Sequence, residues 1–256
     1  GRDIPLAGIT EDLFENFRFF LKKRGLATST MNKHLCRLSR LMYRAVDLNV
    51  IRCHPFEAVA YEKEERKIRF LQKSDVAKLV ALKVNDREAE QARQMFLFSC
   101  FTGLAIADME RLKFSHIQTA ADGRRYIRKE RQKTKVESVV PLHPIAEEIL
   151  SRCQEEQTVK EEGDDLVFPR SCSRSVMNNK LSTVGKACGV RQRISFHMAR
   201  HTFGSLSLSA GIPIESIAKM MGHASISSTQ IYAQVTDKKI SEDMDKLIQK
   251  QQAASE

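Results

Sequence analysis

The sequence predicts a mainly α-helical protein with one small antiparallel β-sheet, divided into a helical N-terminal unit (residues 1–64) and a larger α+β unit (residues 65–256). Three observations lead there. Through most of the chain, apolar residues recur at intervals of three and four, the spacing that gives a helix one apolar face. Between residues 125 and 142 the period shortens toward two, in Tyr126-Ile127-Arg128 and then Val136, Val139 and Val140 before Pro141, which reads as a hairpin or a three-stranded sheet. Residues 62–67 are all charged, as expected of a linker between two cores.

In order along the chain, Thr10 precedes Glu11 and Asp12, an N-cap followed by acids that favour a helix start. Leu13, Phe14, Phe17, Phe20 and Leu21 give that helix its apolar face, and Lys22-Lys23-Arg24 with Gly25 close it. Thr28 or Ser29 opens a second helix through Met31, Leu35, Leu38, Leu41 and Ala45. Its other side carries Lys33, Arg37, Arg40 and Arg44, a basic stripe almost without acids. Such a stripe is a solvated face or a surface laid along a phosphate backbone; the scarcity of acids favours the second. His54-Pro55 ends the helical run. In the larger unit, Ser74 or Asp75 caps a helix, residues 87–101 form a stronger one, and residues 108–112 a short one. After the β segment the chain is helical again, with Gly222 expected just past the end of a helix over residues 214–221.

Composition narrows the function. The 256 residues carry 42 Lys+Arg against 32 Asp+Glu, a formal charge of +10, with 42% hydrophobic residues. This is globular composition, and the basic excess points to a polyanionic partner. No stretch approaches the apolar length of a membrane helix, and no secretory signal is evident at Gly1-Arg2-Asp3-Ile4, so a cytoplasmic, bacterial, nucleoid-associated protein is expected. Six cysteines at 36, 53, 100, 153, 172 and 188 form no metal or redox spacing and are expected to pack as small apolar residues.

Four features of the larger unit carry chemistry: Thr102-Gly103-Leu104, Lys133, His197-Met198-Ala199-Arg200, and Gly222-His223 followed nine residues later by Tyr232. His197 and Arg200 share a helix face, and a guanidinium fork matches two phosphate oxygens. In isolation, His-x-x-Arg is as easily a surface pair, His223 a histidine bonded to backbone, and Tyr232 a half-buried aromatic. His201 points about 100° around the helix from Arg200 and is assigned to packing or to supporting a neighbour.

In order and spacing, His197-x-x-Arg200, the segment from Met221-Gly222-His223 to Ile231-Tyr232, and Lys133 resemble the motifs of the tyrosine recombinases, the phage-integrase family. The resemblance extends over Thr102-Gly103-Leu104 and the helical unit, hence nearly the whole chain. It implies an N-terminal core-DNA-binding (SAM-like) domain and an α+β tyrosine-recombinase catalytic domain that clamp double-stranded DNA. It also implies Tyr232 as nucleophile, a 3′-phosphotyrosyl intermediate with a free 5′-hydroxyl, and Lys133 as proton donor to that leaving oxygen. Arg200 and His223 would bind the non-bridging oxygens. By its chemistry His197 is the expected base. Bond energy stays in the covalent link, so no cofactor is expected. No carboxylate cluster stands at metal-ligand spacing near these residues, so no metal is expected either. An apolar tail stripe, Ile240, Met244, Leu247 and Ile248, fits docking on its own domain or on a neighbouring subunit; a monomer without DNA and a homo-tetramer on paired sites are expected.

One position departs from the family pattern. Where an arginine usually follows Thr-Gly-Leu, this chain has Ala105. The segment from Phe98 to Asp108 is similar to the integrase branch of Bacteroidetes conjugative transposons, in which that arginine is also absent. Arg131 is the expected substitute: if it shares a strand with Lys133, the two side chains face one way. Arg93, twelve residues before Ala105, is a second candidate, either supporting the site or forming a structural ion pair. Two alternatives to an active, mobile-element recombinase remain: a catalytically impaired DNA-binding relative, and a type IB topoisomerase-like relaxer.

Overall fold

The computed structural model describes residues 3–62, 68–158, 165–169 and 172–233, together with residues 244, 245, 248 and 252. The chain separates into two compact units, Gly1–Lys67 and Ile68–Glu256. The charged run at 63–67 lies outside the described residues.

In the first unit, α1 (Glu11–Lys23) and α2 (Thr28–Asp47) pack on each other. Thr10 caps α1, its hydroxyl accepting the Leu13 N–H at 3.3 Å, which satisfies a donor the helix leaves unpaired and contributes about 1 kcal/mol. The core holds Phe14, Leu21, Met31, Leu35, Met42 and Phe56, with Phe14 stacked on Phe56 at 4.3 Å. Two residues expected in the core are instead exposed. Phe20 is 50% exposed and Leu41 60% exposed. The buried steps in α2 run Met31, Leu35, Met42, Ala45, which places Leu41 beside the stripe, and the Arg24 guanidinium sits over the Phe20 ring at 5.2 Å.

The second unit contains α3 (Lys73–Ala81), α4 (Arg87–Thr102), α5 (Ile106–Met109), strands β1 (Ile117–Thr119), β2 (Arg125–Glu130) and β3 (Glu137–Pro141), then α6 (Pro144–Thr158), α7 (Arg174–Ala187), α8 (Phe196–Ser209), α9 (Ile214–Met221) and α10 (Ser227–Gln230). The sheet is antiparallel in the order β1-β2-β3. Its central row pairs Ile117 with Ile127 and Ile127 with Val140, and burying Ile127 and Val140 fixes the register, because a one-residue slip would turn both outward. Almost all of α4 is buried, against α6, α7 and α8. Side-chain caps start α4 (Asp86 to Ala89 N, 2.9 Å), α7 (Ser173 to Val176 N, 3.4 Å) and α8 (Ser195 to Met198 N, 3.4 Å).

Local expectations shift in three places. α3 begins at Lys73, with Asp75 in its first turn and bound to Lys78 at 3.3 Å. The short helix predicted at 108–112 is α5, shifted toward the N-terminus because Gly103, at φ +70°, ends α4 and lets the chain restart at Ala105. Cys100 and Cys153 are buried as expected, but Cys36 and Cys53 are exposed. Of the tail stripe, Met244 and Ile248 are exposed; Ile240 and Leu247 lie outside the described residues. No helix among the described residues is long and apolar enough to cross a membrane.

Candidate active site

The site begins at the turn after α4. Thr102 donates to the Phe98 carbonyl at 2.7 Å and accepts from Leu104 N at 3.4 Å, while Ser99 binds the Leu104 carbonyl at 2.8 Å. A Cβ at Gly103 would lie 2.5 Å from the Phe203 ring, so glycine serves there both for its left-handed backbone and for the space it leaves. The turn aims the Gly103 carbonyl at α8, where Arg200 donates to it through one terminal nitrogen and to the Met221 carbonyl, at 2.7 Å, through the other. Burial, then the charge of Arg131, holds the Arg200 guanidinium down to about 10. Arg200 is therefore fixed by backbone from two distant segments, with its remaining N–H groups available to a ligand.

Arg131 reaches the same cluster by a route the strand argument did not foresee. Residues 132–134 form the turn between β2 and β3, and Lys135 has φ +56°. Arg131 and Lys133 thus do not sit on one strand, and alternation says nothing about where they face. Arg131 is held instead by Asp108, whose buried carboxylate accepts from Arg131 Nε at 3.3 Å and from Gln132 N at 3.1 Å. Arg131 and Thr134 also bind the Gly222 carbonyl at 3.4 and 2.9 Å. Gly222 ends α9 at φ +60°, as its position predicts, and the Arg131 stem passes 3.1 Å from where its Cβ would be. His223 follows, its Nδ1 paired with the Thr229 hydroxyl at 2.7 Å. Burial and the neighbouring Arg200, Arg131 and His201 push its imidazole down to about 4.

Tyr232 lies against α8. Its ring occupies the space that a Gly204 side chain would fill, 2.6–2.9 Å from that Cβ position. Its hydroxyl is 2.9 Å from His201 Nδ1. His197 meets His201 edge to face, with ring centroids 4.2 Å apart. Burial raises the phenol above its usual range, while the charges of Arg200 and Arg131 pull it down. Burial lowers His197, and nearby Arg200, Arg131 and Lys133 lower it further.

Tyr232, Arg200, His197, His223 and Arg131 thus form one electrostatically connected group. Lys133 is exposed in the turn, close enough for its charge to act on His197. Arg93 is not in the group. It is buried, donates to both Glu90 carboxylate oxygens at 2.7 Å, and binds the Leu79 and Val80 carbonyls at 2.8 and 3.2 Å. It ties α4 to the end of α3, and its donors are spent on that. In the first unit, Lys33, Arg37, Arg40 and Arg44 are all exposed on α2, and none makes an ion pair among the described residues. Also among the described residues, no three His, Cys, Asp or Glu side chains gather to hold a metal ion.

His201, Gly204, Asp108 and Thr229 were not predicted for the site. The first two had a signal: 197, 201 and 204 form one helical stripe with Arg200 at its edge. Placing His201 by its angle from Arg200 alone hid it. Of the two α8 histidines, His201, one turn further along, is the one whose ring nitrogen lies within hydrogen-bonding distance of the Tyr232 hydroxyl, and His197, expected as the base, meets His201 edge to face.

The phage integrase family model matches residues 69–239, and the phage integrase SAM-like domain model matches residues 1–65. Tyrosine recombinase XerD of Oceanobacillus iheyensis is 24% identical over 229 residues, covering 86% of this chain and 76% of its own length. Tyrosine recombinase XerC of Pelotomaculum thermopropionicum is 26% identical over 254 residues, covering 91% and 79%. Among solved structures, the fold is similar to XerH site-specific recombinase bound to palindromic difH substrate in a post-cleavage complex (TM-score 0.76, 17% identity, 93% of this chain and 72% of that one). It is also similar to the Tn1549 transposon integrase in complex with circular intermediate DNA (TM-score 0.73, 15% identity, 94% and 86%).

Proposed function

The chain belongs to the phage integrase family, and from that premise we propose that it is a site-specific DNA recombinase that cleaves and rejoins strands through Tyr232. The observation that carries this reading is the Tyr232 phenol, lying in the electrostatic reach of two arginines, Arg200 and Arg131, that come from separate parts of the chain.

Tyr232 Oη attacks phosphorus, leaving a 3′-phosphotyrosyl bond and a 5′-hydroxyl that later reverses the step. Arg200, Arg131 and His223 take the non-bridging oxygens as negative charge develops, each such donor contributing about 2.7–4 kcal/mol to the transition state. Arg131 stands in for the arginine absent at Ala105; its anchorage on Asp108, three residues along, supports this. Lys133, on an exposed turn, protonates the departing 5′-oxygen, and His197, edge to face with His201, adds its imidazole to the same cluster. The chemistry proceeds without a metal or cofactor.

The α2 stripe lies along the duplex backbone. The chain acts on the nucleoid in the bacterial cytoplasm, in the branch of conjugative-transposon integrases that Ala105 suggests, and it moves a mobile element. It is a monomer in the absence of DNA and a homo-tetramer on paired sites; a tetramer at low concentration without DNA would contradict this.

Covalent capture tests the reading. A pool of nicked duplexes of randomised sequence is incubated with the chain, denatured in detergent, and the DNA that remains attached to protein is sequenced. The expected result is a recovered consensus that disappears in Tyr232→Phe. Tight duplex binding with no covalent product would favour the impaired DNA-binding relative, and relaxation of plasmid without a consensus would favour the topoisomerase-like relaxer.

A further inference from the structure

We propose that His201 takes the proton from Tyr232 during strand cleavage and returns it during rejoining. The inference rests on the recombinase reading above and assigns a role to a residue that reading leaves idle. Among the described residues, His201 is the side chain that hydrogen-bonds the nucleophilic oxygen: its Nδ1 lies 2.9 Å from it, inside the range a general base needs. His197 stands edge to face with it at 4.2 Å, and the Gly204 surface seats the tyrosine ring. Phenol and imidazole are therefore aligned before any DNA arrives.

The groups facing His201 set its proton affinity. His197 and Arg200 come from its own helix, Tyr232 from the segment after α10, and His223, which feels its charge, from the end of α9. Arg131, from the β2–β3 turn, acts on Tyr232, His197 and His223. Burial, then the positive neighbours, push His201 down to about 4, so without DNA the ring is neutral, and in its Nε2–H tautomer Nδ1 accepts the phenol O–H. A phosphodiester bound among Arg200, Arg131 and His223 brings a negative charge that offsets those cations. That raises the affinity of Nδ1 for a proton at the moment the phenol must lose one. In the step itself the Oη–H bond breaks as Oη–P forms, the proton passes to Nδ1, and P–O5′ breaks with the leaving oxygen taking a proton from Lys133. Rejoining runs the same transfers backward.

His201→Asn tests this, because the amide oxygen still accepts the phenol hydrogen bond but cannot take the proton. The substrate is the nicked duplex recovered by covalent capture, and affinity and melting are measured alongside. Covalent-complex formation is expected to fall about 10²–10⁴-fold at unchanged duplex affinity. Installing a ring-fluorinated tyrosine at 232, whose phenol ionises closer to neutrality, should recover about tenfold or more in His201→Asn and change the parent chain little. Cleavage by His201→Asn at the parent rate overturns the proposal. So does slow cleavage that fluorination fails to recover, which marks His201 as a packing residue. His201→Gln carries the same comparison should the asparagine variant unfold. If the parent chain itself forms no covalent complex, the failure lies with the recombinase reading.

Discussion

Replacing Gly204 with alanine separates the packing of Tyr232 from its chemistry. The added methyl would meet ring atoms Cε2, Cδ2 and Cζ at 2.6, 2.7 and 2.9 Å, where carbon atoms settle at about 3.5–4.0 Å. The ring must retreat by about 1 Å. Cζ carries the hydroxyl, so the retreat stretches the 2.9 Å contact with His201 and shifts the nucleophile relative to the two arginines. A displacement of about 1 Å lowers a positioned reaction about a hundredfold. Stability responds differently. Alanine is better by about 1 kcal/mol than glycine inside a helix, and overpacking opposes that by about 1–3 kcal/mol. The net loss is about 0–2 kcal/mol. Melting curves should therefore move little, while the rate of covalent-complex formation on saturating nicked duplex falls about a hundredfold. Cleavage by Gly204→Ala at the parent rate would refute the packing argument, because the methyl and the ring cannot both keep their present places.

Other expectations follow from the same geometry. Arg131→Ala should slow cleavage about 10²–10³-fold in a gel time course while leaving duplex affinity nearly intact; an unchanged rate would remove Arg131 from the phosphate site. Alanine at each of Lys33, Arg37, Arg40 and Arg44 should flatten the log–log dependence of duplex affinity on salt by about 0.9 per residue, measured by anisotropy, and a slope unaffected by all four would place the DNA elsewhere. The pH dependence of stability has a defined sign. His201 and His223 are held down to about 4 in the folded chain against about 6.5 when unfolded. The unfolded state therefore binds more protons between those values, and the stability present above about 6.5 is lost as pH falls toward 4. Melting temperatures should drop across that window, and the drop should shrink in His201→Asn/His223→Asn; an equally steep drop in the double variant would assign it to other groups.

Features governed by local geometry were legible in the sequence. Thr10 caps α1, Gly222 ends α9 in the left-handed region, and the basic residues of α2 oppose its buried Met31, Leu35 and Met42, because each depends only on residues within a turn or two. His197 and Arg200 could be grouped for the same reason. What could not be read depends on contacts across long sequence separations. Asp108 holds Arg131 from 23 residues away, and the Arg200 guanidinium is fixed by carbonyls 97 and 21 residues distant. Strand alternation misled for Arg131 and Lys133, since β2 ends at Glu130 and the chain has left the sheet before either residue. Arg93 looked equally suited to a site and to an ion pair, and only the placement of the α3 carbonyls decides for the ion pair. Phe20 and Leu41 show the limit of apolar spacing: they continue the helical intervals of the buried Phe14, Leu21, Met31 and Leu35, yet are 50% and 60% exposed.

The central claim concerns one oxygen atom, and peptide mapping of the trapped DNA adduct reads it directly. After nuclease and protease digestion, mass spectrometry should find the residual nucleotide on the peptide spanning Gln230-Ile231-Tyr232, attached to the Tyr232 oxygen through a 3′-phosphate. An adduct on Tyr43, Tyr61 or Tyr126, or a link through a 5′-phosphate, would contradict the account.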